Sequence, residues 1–324
     1  MGSATIRAYS HSFVSRFRDR VMLLLHVLDG GPVTPATLWR RWQVEPAVLA
    51  LVVVSAVLYA VGIRRLWGRA GGGHVVSRWG VAAFYTGLVL LLVALCSPLD
   101  ALADTLFSAH MVQHVILIAI APPLLVLGIP TLPLLWGLPH DARLAVGRAW
   151  KASRLGAVGH ALVRPVPALV LHTLALWLWH LPGPYASALA HPVVHALEHG
   201  CFFGTALLVW WVAIRPLGRR PADTAWALFV LLGTFVSSGA LGAILTFADT
   251  PWYYAQSVGA GAWGLTPLED QQLAGLIMWI PASFAYIIAI LAIASRWLHD
   301  PDGAPAQPSQ ENGAAGAGEL YALH

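Results

Sequence analysis

Apolar residues fall in long blocks along this chain, and seven of the blocks approach the 20 or so residues a helix needs to cross the roughly 30 Å hydrocarbon layer of a membrane. They cover 46–63, 79–96, 105–127, 166–181, 193–214, 225–247 and 271–297. The fourth is the shortest and ends at Leu181-Pro182-Gly183-Pro184, a helix terminator, so its start is extended back towards Pro165. The pattern predicts an all-α fold, a polytopic membrane helical bundle with about seven transmembrane helices over 45–298. Ahead of it, 1–44 forms an amino-terminal extension in which Phe13 to Leu28 mixes Arg16, Arg18 and Arg20 with Val21, Leu23, Leu24 and Leu25. That mixture predicts a helix lying on the membrane surface rather than a signal-peptide core, because no small-x-small cleavage site follows. The tail 299–324, rich in Gly, Ala, Pro and Gln, cannot bury a core and is expected to be disordered in the cytoplasm. Pro122-Pro123, midway along the third block, is expected to bend that helix.

Composition turns this from a possibility into a requirement. Of 324 residues, 58% are hydrophobic and only 10% charged, and mean hydropathy is +0.68; soluble domains carry about 25% charged residues. The net charge of +4 does not indicate nucleic acid, because the basic residues are short Arg clusters between apolar blocks, with Lys151 the one lysine. Such clusters are topology signals. Twelve lie in the loops 64–78, 128–164 and 215–224, among them Arg64, Arg65, Arg143, Lys151 and Arg219, and none in 97–104, 182–190 or 248–270. The alternation puts the amino terminus outside and the carboxyl terminus in the cytoplasm; Arg7, Arg16, Arg18, Arg20, Arg40 and Arg41 oppose it, but the alternation repeats three times. Cys96 and Cys201 both lie in apolar stretches and do not form a disulfide framework.

Ionisable residues inside a membrane are expensive and by default face a functional interior. Span three enters from outside, so His110 and His114 fall in its first two turns, on one face by their i, i+4 spacing. Span five also enters from outside, with His191, His195 and His199 at i, i+4 and i+8 and Glu198 beside the last. Span four ends outside, placing His180 at its tip and His172 about 12 Å deeper. Cys96 closes span two, and Asp270 and Met278 lie on nearly one face of span seven. The pair facing the stripe predicts a metal or haem site. Single members have plainer readings: His172 and His180 as interfacial residues, Met111, Met278 and Cys96 as core, Asp270 as an orienting acceptor or the cap of span seven, and Glu198 paired with a neighbouring His or Gln. Imidazoles with soft neighbours suit copper, zinc or iron, copper best if Met or Cys joins; haem needs only two axial His on facing helices, so it stays open. No phosphate-binding Gly loop, nucleophile motif or zinc-protease helix occurs, which removes nucleotide and hydrolase chemistry.

Several segments are familiar together: Ser97-Pro98-Leu99-Asp100, His110-Met111-Val112-Gln113-His114, Ala121-Pro122-Pro123-Leu124-Leu125, Gly128-Ile129-Pro130, His191-Pro192 with His195, Glu198 and His199, and Asp270-Gln271-Gln272-Leu273-Ala274-Gly275 with Ile277-Met278-Trp279. Over about 45–297 they resemble the CtaG family of cytochrome c oxidase assembly factors, the seven-span type associated with caa3-type oxidases. The resemblance implies a multi-pass protein of the bacterial cell membrane that matures haem-copper oxidase, supplies copper to it and is not itself an enzyme. Implied partners are cytochrome c oxidase subunits and a periplasmic or extracellular copper donor, besides the lipid bilayer, with no nucleic acid. His110, His114, His191, His195 and His199 are the metal-contacting positions it suggests. Asp270, Glu198, Met278, Met111, Cys96 and His180 are possible ligands or supports.

Overall fold

A computed structural model describes residues 33–299 apart from 74, 216–220 and 254–255. The expected surface helix at 13–28, the tail beyond 299 and the basic residues Arg219 and Arg220 lie outside the described residues. Besides two short 3-10 segments, Leu38–Arg40 and Ser257–Trp263, the described residues form thirteen α-helices and a π-helical turn: α1 Pro46–Ala70, α2 Arg78–Cys96, α3 Pro98–Ala103, α4 Phe107–Val115 running through a π-helical turn Ile116–Ile120 into α5 Ala121–Leu127, then α6 Thr131–Gly137, α7 His140–Ala152, α8 Arg154–Leu162, α9 Pro165–Trp179, α10 Pro182–Ala190, α11 Pro192–Ile214, α12 Pro221–Thr246 and α13 Pro267–His299. Among the described residues there is no strand. Seven of these helices open on proline, at Pro46, Pro98, Pro165, Pro182, Pro192, Pro221 and Pro267. The first N–H of a helix has no intrahelical acceptor, so proline sacrifices nothing there and arrives with its φ already set.

Among the described residues six helices are long and apolar enough to cross a membrane, and a seventh results if α8 and α9, bent by 79° at Val163-Arg164, count as one span. The protein is therefore a polytopic helical membrane protein, with the fourth crossing made from a 15-residue helix of about 22 Å and an angled lead. Span three, Phe107–Leu127, is the central element: 72% of its most apolar stretch is buried, against 22–39% in the other five. It is the seam between two packed cores. Ile116, Leu117, Ala121 and Leu125 face Val52, Tyr59 and Phe84 of α1 and α2. Phe107, Met111, Val115 and Ile118 face Phe202, Trp210, Met278 and Tyr286 of α11 and α13.

The two prolines expected to bend span three act through the π-helical turn. Ala121 donates to the Ile116 carbonyl, a reach of five residues. The Ile118 carbonyl would look to residue 122 for an α-helical donor and to residue 123 for a π-helical one, and both are prolines without an N–H. Its partner comes from another span: the Trp210 indole N–H donates to it at 2.9 Å, while the Trp210 ring lies flat on Tyr286 at 5.5 Å. Because backbone groups in hydrocarbon must be paired within the protein, this bond locks α11 to the middle of span three.

At the opposite ends of the helices the Arg clusters cap and stack. The Arg65 guanidinium donates to the carbonyls of Trp136, Gly137 and Leu138 at 2.7, 3.2 and 2.8 Å, a cation on the negative end of α6. Arg69 and Arg143 flank the Trp136 ring at 5.0 and 4.4 Å. The first two basic loops thus meet at one end of the bundle. Spans six and seven cross with backbones in contact: a methyl group at Gly275 would come within 2.6 Å of the Gly242 carbonyl oxygen and the Thr246 nitrogen, so only glycine fits.

Trp210→Phe keeps the ring on Tyr286 but strands the Ile118 carbonyl. The expected loss is about 1–3 kcal/mol, read as a lower denaturation midpoint in detergent; an unchanged midpoint would show that the bond does not lock the spans.

Candidate metal centre

The start of span three is held by a carboxylate from span seven. Asp270 is fully buried and accepts from the backbone N–H of Phe107 at 2.8 Å and of Ser108 at 3.1 Å, and from the Ser257 hydroxyl at 2.9 Å. Those N–H groups are unpaired by helix geometry and carry the positive end of the helix dipole, so a carboxylate suits them. Asp270 is therefore a cap, but of span three and not of its own helix. Gln113, fully buried, donates to the Ala94 carbonyl and to the Asp100 carboxylate, both at 2.7 Å, which ties span three to the end of α2. The Gln256 amide adds a bond to the Ala103 carbonyl at 2.5 Å.

These fastenings bring five imidazoles into one nest. His110 and His114 of span three lie 4.3 Å apart between ring centres, His195 and His199 of α11 lie 4.2 Å apart, and His110 reaches them at 5.3 and 5.7 Å. His114 is 5.3 Å from His199 and 5.8 Å from His180. His110 Nε2, both nitrogens of His114, and the Nε2 atoms of His180, His195 and His199 are buried with no hydrogen-bond partner. Both oxygens of Glu198 are likewise unpartnered, and Glu198 Oε1 stands 4.0 Å from His114 Nε2, too far for a hydrogen bond. Glu198, expected to pair with a neighbouring His or Gln, thus stands at ion-pair distance from His114 without a hydrogen bond to it.

Each orphaned polar atom costs about 1–3 kcal/mol, and so many converging on one point fits a site built to hold a cation. The ligand atoms of His110, His195 and His199 lie within 4.8 Å of one another, and so do those of His110, His114 and Glu198. Nitrogen-rich donors with one carboxylate suit copper, zinc or iron rather than calcium or magnesium. His180 borders the nest with its tautomer decided: Nδ1 bonds the Leu176 carbonyl at 2.7 Å, an acceptor only, so Nδ1 carries the proton and the lone pair sits on Nε2. Deeper, His172 Nδ1 meets the Thr205 hydroxyl oxygen at 2.9 Å.

The remaining expected positions lie elsewhere. His191 stands apart, exposed, with Nδ1 on the Ser187 carbonyl at 3.1 Å. Pro192 opens α11, which makes His191 the extended residue before the helix, at φ −136° and ψ 113°, and takes its side chain off the helical stripe. Met111 is wholly buried in the core with Phe107 and Phe202. Cys96 is buried at the end of α2 and joins neither group of donors. Met278 lines a small cavity with His114, Ser238 and Ala282. Sequence reasoning passed over Tyr185 and Tyr253. The Tyr185 ring closes over His110 at 5.7 Å and its hydroxyl is buried without a partner, while Tyr253 packs on Tyr185 and donates to the His180 carbonyl. Both come from segments between spans, where no periodicity signals burial.

Fold and site together define a polytopic all-helical membrane protein with a cluster of unpaired imidazoles enclosed near one end of its spans. The model of the cytochrome c oxidase caa3 assembly factor family, Caa3_CtaG, matches residues 57–300, and the chain belongs to that family. It is similar to the uncharacterized proteins Mb0105 of Mycobacterium bovis and MT0111 of Mycobacterium tuberculosis, each 28% identical over 273 residues, which is 82% of this chain and 40% of theirs. The uncharacterized protein ML1998 of Mycobacterium leprae is 26% identical over 263 residues, 79% of this chain and 39% of its own length. The chain therefore spans about two fifths of the length of these curated relatives. No solved structure matches it.

Two outcomes are expected of the fastenings. Asp270→Ala frees two buried N–H groups and should lower the unfolding midpoint by the equivalent of about 1–3 kcal/mol; no change would remove Asp270 as the anchor of span three. Burial pushes the Asp100 carboxyl up from 3.8 to about 6, with the Gln113 amide pulling the other way. A raised acid favours folding while protonated, so its contribution is complete below about 4 and is lost as pH rises through about 6. Asp100→Asn should raise the thermal midpoint relative to the parent at pH 7.5 and not at pH 4, measured by differential scanning fluorimetry at both.

Proposed function

We propose that the chain is a non-catalytic factor that receives a copper ion in the imidazole nest and assists its delivery to cytochrome c oxidase in the bacterial cell membrane. The observation that carries this is the set of buried, unpartnered nitrogens of His110, His114, His195 and His199 meeting the unpartnered carboxylate of Glu198. Copper is the cargo. A site of three or so donors, open to one side, releases an ion more readily than a closed four-ligand structural site. His195 and His199 are only half-buried while His110, His114 and Glu198 are buried, so the nest has an accessible side. By the excess of arginine at the opposite end of the bundle, that side faces out of the cell, with the amino terminus outside and the carboxyl terminus in the cytoplasm. This is the side on which a periplasmic or extracellular donor would bring copper.

A bare ion is favoured over haem by the packing. The imidazoles stand 4.2–5.8 Å apart between ring centres, and Phe202 and Tyr185 close on them, at 4.7 Å from His114 and 5.7 Å from His110. A macrocycle needs a slot between its two axial histidines, and rings in mutual contact leave no room for one.

The test is genetic and biochemical together. In cells lacking the chromosomal copy and grown in copper-poor medium, the parent chain should restore the copper content and activity of the oxidase. A His110→Ala/His114→Ala chain present in the membrane in equal amount should restore neither. Full restoration by the double variant would end the copper reading and leave a scaffold for oxidase subunits as the better account.

A further inference from the structure

Two groups of three donors share one residue. His110 with His195 and His199 forms an all-imidazole group, and His110 with His114 and Glu198 forms a second, all members of which are buried. Along span three His114 lies about 6 Å beyond His110 at 1.5 Å per residue, whereas on α11 Glu198 falls between His195 and His199. The second group is therefore set deeper by its span-three member alone, and it is the more buried of the two, with no half-exposed member. Beyond it, on the far side of His114, comes the small cavity lined by Ser238 and Met278. Neither nitrogen of His114 is tied to a neighbour by a hydrogen bond, so a lone pair is available to an ion that reaches it.

We infer that the nest is a two-position site, in which one copper ion is first held by His110, His195 and His199 and then passes to His110, His114 and Glu198. This rests on the copper reading above and says how the same residues would move the ion. The step is a ligand exchange. The bonds to His195 and His199 break, bonds to a His114 nitrogen and a Glu198 carboxylate oxygen form, and the bond to His110 persists. The ion keeps its oxidation state and no electron moves. The order follows from burial: the all-imidazole position has the half-exposed members, so it meets an incoming ion, and the deep position exchanges neutral donors for an anionic one, which offsets the ion's charge as water is left behind. Because His110 belongs to both groups, occupancy of one position empties the other.

The experiment uses the full chain in detergent, stripped of metal, given an excess of Cu(II) and freed of unbound metal, with copper per chain from elemental analysis and bound nitrogens counted by electron paramagnetic resonance. Glu198→Gln should keep one copper, now with three nitrogens. His195→Ala should also keep one copper, with two nitrogens and an oxygen, and should yield it more slowly to a water-soluble chelator. If His195→Ala aggregates, His199→Gln serves as the same arm. Two coppers held together by the parent, the same nitrogen count in both variants, or complete loss of copper from either would overturn the two-position site while leaving copper binding intact. A parent that retains no copper would overturn both that site and the copper reading on which it rests.

Discussion

A carbonyl whose fourth and fifth successors are both prolines has no helical donor, and inside a membrane it cannot turn to water. Ile118 is that carbonyl, and the Trp210 indole supplies the missing N–H at 2.9 Å. A second fastening lies about three turns away, where Asp270 takes the first free N–H groups of span three. Between them the two bonds set the height of span three against α11 and α13, and hence which turns of α11 stand opposite His110 and His114. The same two prolines that interrupt the helix thus provide the acceptor that fixes its register.

What that register encloses is costly. Imidazole nitrogens and a carboxylate are brought into contact range and left without hydrogen-bond partners, whereas Gln113 bonds Ala94 and Asp100, Gln256 bonds Ala103 and Tyr59 bonds Gly128. A folded chain keeps such a debt where function draws on it. Membership of the caa3 oxidase assembly family supplies the context, and the donor chemistry supplies the proposed cargo. The aromatic lid of Phe107, Tyr185 and Tyr253 fits the same picture, since it closes one flank of the nest and leaves His195 and His199 as the approach.

Much of this was legible in the sequence because span length and loop charge are local properties. An apolar block of 20 residues is a span whatever it packs against, and five of the six long helices fall within a few residues of the blocks, while α1 runs about two turns past its block to Ala70. The exception, the fourth, was marked by its own prolines. The i, i+4 pair His110/His114 was legible for the same reason, since one helix suffices to place it. What depends on contacts between distant segments was not. Asp270 read as a cap of its own helix because local spacing offers nothing else, whereas the N–H groups it caps lie over 160 residues away. His191 read as the first of a helical stripe, but the proline that follows it starts the helix one residue too late to include it. Tyr185 and Tyr253 carry no periodic signal, and only the packed structure brings them to His110 and His180.

The central claim is that the imidazoles of span three and α11 are the donors of one bound ion. X-ray absorption at the copper edge, on full-length protein loaded with one equivalent of copper in detergent, addresses it most directly. The expected spectrum has a shell of nitrogen and oxygen with the outer-ring scattering of histidine and no sulfur. A sulfur-dominated shell would place the ion at Cys96, Cys201 or methionine and contradict the claim, as would copper that washes away before a spectrum can be recorded.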